Sequence, residues 1–191
     1  MTKPYIIGCD EVGYGSLAGP LVIGAVRAPK DWSISGLNDS KKLTDKQRRE
    51  MNMKLWGCGE RGEIYYTIAK RSNEHIDKFG VAVSLRECYK EVAHMTYKTD
   101  SLIIIDGNLN FDETLSGMDY QTVVKADSQY PTVMAASILA KVYRDDIMIK
   151  LSDQYSQYMF SKNKGYGSPE HIAAIKKYGL TDIHRKSYKL K

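Results

Sequence analysis

A chain of 191 residues with 42% hydrophobic and 27% charged residues is long enough for one globular domain, and its composition excludes a disordered chain. Its net charge of +5 is uneven: residues 141–191 hold 11 Lys or Arg against 5 Asp or Glu, whereas residues 1–140 hold 17 against 18. A basic final third beside a neutral body points to a polyanionic partner. The longest apolar runs, such as residues 102–105, are too short to cross a bilayer, and residues 1–4 lead straight into a strand-like segment. Neither a membrane segment nor a signal peptide is expected, and the expected location is the cytoplasm.

In chain order, residues 5–9 and 21–26 are short apolar runs on either side of a glycine-rich stretch and read as buried strands. Thr44 and Gln47 have the spacing of a capping box, which predicts a helix from there to about residue 55. Residues 63–69, rich in β-branched and aromatic side chains, predict a third strand. Leu85, Cys88, Val92 and Met95 recur at helical spacing within residues 81–97. A buried strand follows at residues 102–105 and another at 121–125, then a long helix over 131–155. Ser168 and Pro169 open a last helix, which Gly179 stops. Three strands followed by alternating helix and strand predict an α/β protein, a mixed sheet with helices packed on it.

Cys9, Cys58 and Cys88 are odd in number and form no CxxC pair. This fits a reducing compartment and argues against a disulfide scaffold or a structural zinc site, with His75 and His94 read as ordinary helix or loop residues. The acids are more informative. Asp10 closes the first strand, Asp106 the fourth, and Asp127 follows the fifth, at the carboxyl ends where α/β sheets collect ligands. Adjacent Asp10 and Glu11 point to opposite faces of a regular strand, so both are expected to face one site only if the strand breaks there, which Gly13 and Gly15 would permit. Clustered carboxylates repel one another, and Mg²⁺ or Mn²⁺ is their natural neutraliser. Taken singly, each acid could equally be a turn cap or a surface charge.

Gly13-Tyr14-Gly15-Ser16-Leu17-Ala18 also matches the dinucleotide pattern GxGxxG/A after a strand. Two acids would then face the pyrophosphate, and Pro20 would obstruct the helix that should hold it. That reading is set aside.

The stretch from Asp10 to Pro20, Asp10-Glu11-Val12-Gly13-Tyr14-Gly15-Ser16-Leu17-Ala18-Gly19-Pro20, resembles the opening signature of the type 2 ribonucleases H (ribonuclease HII). The likeness continues in Gly36-Leu37-Asn38-Asp39-Ser40-Lys41-Lys42-Leu43, Ile105-Asp106-Gly107-Asn108 and Lys125-Ala126-Asp127. It returns in Ala135-Ala136-Ser137-Ile138-Leu139-Ala140-Lys141-Val142-Tyr143-Arg144-Asp145, Lys164-Gly165-Tyr166-Gly167 and Ile183-His184-Arg185-Lys186-Ser187, all in family order.

The resemblance implies a ribonuclease H-like fold, a five-stranded mixed sheet flanked by helices. Residues 1–150 would form the catalytic part, and residues 151–191 a helical, basic substrate-binding part of the same domain. It implies an endonuclease that cuts the RNA strand of RNA–DNA hybrids and nicks DNA beside embedded ribonucleotides, leaving 3′-hydroxyl and 5′-phosphate ends. Asp10, Glu11, Asp106 and Asp127 match its metal-binding positions, for two divalent ions, Mg²⁺ or Mn²⁺. Gly13, Tyr14 and Gly15 match its ribose-reading segment. Asn38, Ser40, Lys41 and Lys42 match its backbone contacts, with Lys141 and Arg144 as further candidates. Tyr166 matches the tyrosine that packs on the junction sugar. A monomer is the family precedent. Two departures stand out: Tyr14 replaces the usual arginine, and Ala126 replaces the glycine of many bacterial members. The first keeps open a non-catalytic hybrid-binding protein of the same fold, although four retained acids would be a burden near phosphates.

Overall fold

The computed structural model describes residues 3–189. In chain order the elements are β1 (Tyr5–Val12), β2 (Leu21–Pro29), α1 (Asp45–Glu60), β3 (Tyr65–Arg71), α2 (Asn73–Phe79), α3 (Val81–Thr96), β4 (Ser101–Asp106), β5 (Tyr120–Val123), α4 (Pro131–Gln154), α5 (Phe160–Asn163) and α6 (Pro169–Tyr178). Short 3-10 turns cover Ala126–Ser128 and Ser156–Tyr158. The five strands form one sheet in the order β3-β2-β1-β4-β5, with β1–β2 and β2–β3 antiparallel and β1–β4 and β4–β5 parallel. The expected mixed sheet is therefore present.

Period-2 alternation divides β1 between two cores. Ile7 and Cys9 join Ile23, Ile103 and Ile105 against Cys88, Tyr89 and Val92 of α3. Ile6 faces the other way, with Ile104 and Val133. Beside it Val26 and Ala28 of β2 pack on Leu55 of α1 and Ala136 and Leu139 of α4. Helix α4 crosses the sheet unusually closely. A Cβ on Gly8 would lie 2.2 Å from the Val133 nitrogen, and one on Gly24 would lie 2.6 Å from the Ala136 carbonyl oxygen. Hydrogen in place of a side chain at both positions is what lets α4 approach.

The Thr44 capping box is formed, with its hydroxyl accepting from Gln47 N and the Gln47 side chain accepting from the Thr44 N–H. Helix α4 passes through position 150, so no linker separates residues 1–150 from the rest of the chain. Beyond it, Ala18, Met148, Tyr158, Phe160, Ala174 and Ile175 form a small cluster of their own. Among the described residues no helix is long and apolar enough to cross a membrane.

Candidate active site

Strand β1 does not break at its acids. It continues through Asp10, paired with Gly24, and Glu11, paired with Ile23, to Val12. The expectation of a break is corrected, and the reason is topological. The parallel ladder from β1 to β4 ends at Cys9–Ile105, so the next residues stand at an open sheet end where both faces reach one cleft. Asp10 lies on the α4 face, beside Ser137, and Glu11 on the α3 face, where it accepts from the Tyr89 hydroxyl at 2.8 Å. With Asp106 they line a cleft of about 380 Å³ that also takes in Val12, Gly13, Tyr14, Gly15, Ser40, Lys41, Arg48, Ser137, Lys141 and Tyr166.

The cleft is electrostatically unbalanced at its acidic end. Burial pushes the Asp10 carboxyl up to about 7, and Glu11 and Asp106 push the same way against the Ser137 hydroxyl. Glu11 is raised by burial and by Asp106, opposed by its Tyr89 bond. Asp106 accepts from the Ala126 N–H at 2.7 Å, which ties the 3-10 turn carrying Asp127 to the end of β4. Asp127 itself is buried and does not line the cleft; its carboxylate binds the Lys41 ammonium at 2.7 Å.

The other candidates divide. Ser40, whose hydroxyl is 2.8 Å from that of Ser137, Lys41 and Lys141 all reach the cleft, whereas Asn38 and Lys42 do not line it. Lys141 binds Asp145 at 2.8 Å, one turn along α4. Tyr14 is 42% exposed at the rim, Gly15 has nothing within 4 Å of a Cβ, and the Tyr166 hydroxyl accepts from Gly13 N at 3.2 Å.

Arg144 is the clear correction. Expected to contact substrate, it is fully buried, and its guanidinium donates to the carbonyls of Pro20, Ala18 and Lys164 and to the Ser16 hydroxyl at 2.7–3.0 Å. Its place on the same helical face as Lys141 indicated direction but not depth. A Cβ on Gly13 would sit 2.1 Å from its Nε, and Gly13 has φ +85°, so glycine is required there twice over.

Sequence reasoning missed three residues of this site. Arg48 donates to the carbonyls of Ser40 and Leu43 and fixes the turn that presents Lys41. Arg185, also buried, donates to the carbonyls of Gly13, Tyr14 and Gly19. Ser137 stands beside Asp10. Ser137 and Arg185 lie inside the family-like motif blocks, and the four-residue step from Ser137 to Lys141 was a readable sign of one shared face. The dinucleotide pattern is excluded by the chain beyond its loop. Pro20 leads into β2, and no helix begins there to hold a phosphate.

The acids can be tested as a cation site. Among the described residues no three His, Cys, Asp or Glu side chains converge at ligand distance. Each of three acids is turned to its own partner: Glu11 to Tyr89, Asp106 to Ala126 N, and Asp127 to Lys41. The donor chemistry nonetheless fits a hard divalent ion, being all carboxylate oxygen with excess negative charge at Asp10. Lys41 supplies a positive charge at Asp127.

A mixed sheet of three antiparallel strands extended by two parallel ones, with acids at the ends of β1 and β4, defines a ribonuclease H-like protein. The family model for Ribonuclease HII matches residues 7–191. The Ribonuclease HII of Francisella tularensis subsp. novicida (strain U112) is 40% identical over 186 residues, 96% of each chain. Among solved structures, the RNase HII of Archaeoglobus fulgidus in complex with PCNA superposes with a TM-score of 0.80 at 26% identity, covering 97% of this chain and 96% of that one. The ribonuclease H2 of Pyrococcus horikoshii OT3 gives 0.78 at 26%, covering 97% and 94%. The chain belongs to the ribonuclease HII family and is a type 2 ribonuclease H, a hydrolase of the nuclease class.

Proposed function

We propose that this chain is an endoribonuclease that hydrolyses the RNA strand of RNA–DNA hybrids and incises DNA 5′ to embedded ribonucleotides, leaving 3′-hydroxyl and 5′-phosphate ends. Its uses would be removal of RNA primers and of misincorporated ribonucleotides, by a monomer in the cytoplasm. Asp10, Glu11, Asp106 and Asp127 would hold two divalent ions, Mg²⁺ or Mn²⁺. Bound there, such ions supply a water of lowered pKa and charge stabilisation for the departing 3′ oxygen.

The remaining work falls to the chain's own groups. Asp10, buried and pressed by Glu11 and Asp106, is the observation that carries the reading, because burial and repulsion disfavour its charged form and a cation beside it would relieve both. Lys41 is the nearest candidate to exchange Asp127 for a phosphate, and Lys141 faces the same cleft. Gly13, packed against Arg144, shapes the loop, Gly15 with nothing near its Cβ position leaves the backbone open to a ribose 2′-hydroxyl, and Tyr166 offers a ring to the junction sugar. Residues 1–150 carry the chemistry in this reading and residues 151–191 complete the substrate surface of the same domain.

The test is incubation with a labelled RNA–DNA hybrid in Mg²⁺, in Mn²⁺ and in EDTA. Product in either metal, ending in 3′-hydroxyl and 5′-phosphate, is expected. Product in EDTA would overturn the metal assignment, and none in either metal would overturn the reading.

A further inference from the structure

The C-terminal cluster contains two imidazoles that the chemistry above does not use. His171 of α6 and His184 are both fully shielded from solvent, and their Nε2 atoms are 3.1 Å apart. His184 Nδ1 accepts from the Thr181 N–H at 2.9 Å, with the Thr181 hydroxyl at 2.8 Å. A backbone N–H can only donate, so this nitrogen carries no proton and neutral His184 is protonated at Nε2. That N–H faces His171 Nε2, which must accept. His171 therefore carries its proton on Nδ1, 2.8 Å from the Tyr166 carbonyl oxygen.

One chain of hydrogen bonds thus runs in a single direction from Thr181, through both rings, to the backbone of Tyr166. A second proton on either ring would set donor against donor. Burial, and for His184 the neighbouring imidazole, hold both rings below the ordinary histidine range, as this order requires. The rings are walled by Tyr158 and Phe160, at centroid distances of 4.9–6.3 Å.

Tyr166 is the residue this order serves. Its carbonyl is pinned by His171 and by the Ser168 N–H, and its hydroxyl by Gly13 N. Its ring, 37% exposed, lies 5.2 Å from the Arg144 guanidinium and 5.7 Å from Lys141 Nζ. We infer that His171 and His184 are positioning residues, which as a neutral, oriented pair fix the Tyr166 backbone and so the placement of its ring in the cleft. The inference rests on the junction-reading role proposed above for Tyr166.

The test compares incision at a single embedded ribonucleotide with cleavage of a long hybrid. His171→Phe keeps the packing and removes the relay. It should lower the first activity about fivefold more than the second, mainly through KM, the scale of one lost neutral hydrogen bond. His171→Asn, which can offer an amide donor towards the same carbonyl, should recover most of the loss. In a Tyr166→Ala background His171→Phe should change the ratio no further, because the two act through one ring. Equal losses on both substrates, or the same change of ratio with and without the Tyr166 ring, would overturn the positioning role. An unchanged ratio in Tyr166→Ala alone would instead overturn the junction reading. Should His171→Phe not fold, nitrogen NMR of the unaltered protein decides: His184 protonated at Nε2 and His171 at Nδ1 supports the relay, and a cationic ring at neutral pH or the opposite tautomers overturns it.

Discussion

Asp10 and Glu11 are neighbours with different surroundings. Asp10 is buried with its titration pushed up to about 7, while Glu11 has a tyrosine hydroxyl to share its charge. Asp10→Asn should therefore abolish hybrid cleavage while raising the metal-free melting temperature, since it removes the repulsion and keeps the shape. Near-normal turnover by the purified variant would refute the role. At the rim, Tyr14 supplies a neutral hydroxyl or a ring face where the family resemblance implies an arginine. Charged hydrogen bonds are worth roughly 1.5–3 kcal/mol against about 1 for neutral ones. Tyr14→Arg should then improve incision at a single ribonucleotide more than cleavage of a long hybrid, which offers many registers. Equal effects in parallel assays would show that the side chain reads nothing at the junction.

Helix α4 and the strands beneath it are coupled through two missing side chains. Because a Cβ on Gly24 would meet helix backbone at 2.6 Å, Gly24→Ala must push α4 away from β2. The cost should be at least the ~1–3 kcal/mol typical of overpacking, read as a lower denaturation midpoint. Since Ser137 and Lys141 ride on α4, activity should fall with it; an unchanged midpoint would show that the helix yields freely. The long elements were legible because pattern and tertiary packing agree, as in the capping box of α1 and the spacing of Leu85, Cys88 and Val92 on α3. Helices α2 and α5, seven and four residues long, were not, because neither is long enough to show a period. Strand-end acids could be read from their order, but the depth of Arg144 and Arg185 could not. A buried arginine satisfied mostly by carbonyls, with a hydroxyl in place of an acid, leaves no opposite charge in the sequence to betray it.

Across the whole molecule, proton balance and charge distribution give two further expectations. Buried His184, held down to about 4, and His171, held below the ordinary range, both titrate near 6.5 when unfolded. Between those values the unfolded chain binds more protons, so stability rises with pH; the contribution is complete above about 6.5 and is lost as pH falls towards 4. Asp10, raised to about 7, and Glu11, raised by burial, act in the opposite sense. In an Asp10→Asn background the melting temperature should fall from pH 7 to pH 5, and His171→Phe should flatten that slope. A steeper slope would mean the pair is charged when folded. Electrostatic attraction should be equally selective. Neutralising Lys41, which lines the cleft, should flatten the salt dependence of hybrid affinity by about one unit of log–log slope, and neutralising Lys42, which does not, by less. Slopes unchanged from that of the unaltered protein in both variants would assign both lysines to the solvent, and equal flattening would place both on phosphates.

The anchoring of the Gly13–Tyr14 turn by Arg185 and Tyr188 spans 172 and 174 positions of chain. During synthesis, then, the acids of β1 leave the ribosome early, and the sheet can close once β4 and β5 have emerged. The turn beside those acids acquires its clamps only after the five strands and helix α4 have been made. Contacts of such separation are the slow ones to close. The order of manufacture runs opposite to the order of use: on the proposed function the groups that would meet the substrate's sugar are the last to be locked, so the capacity to discriminate would mature after the core that would cut.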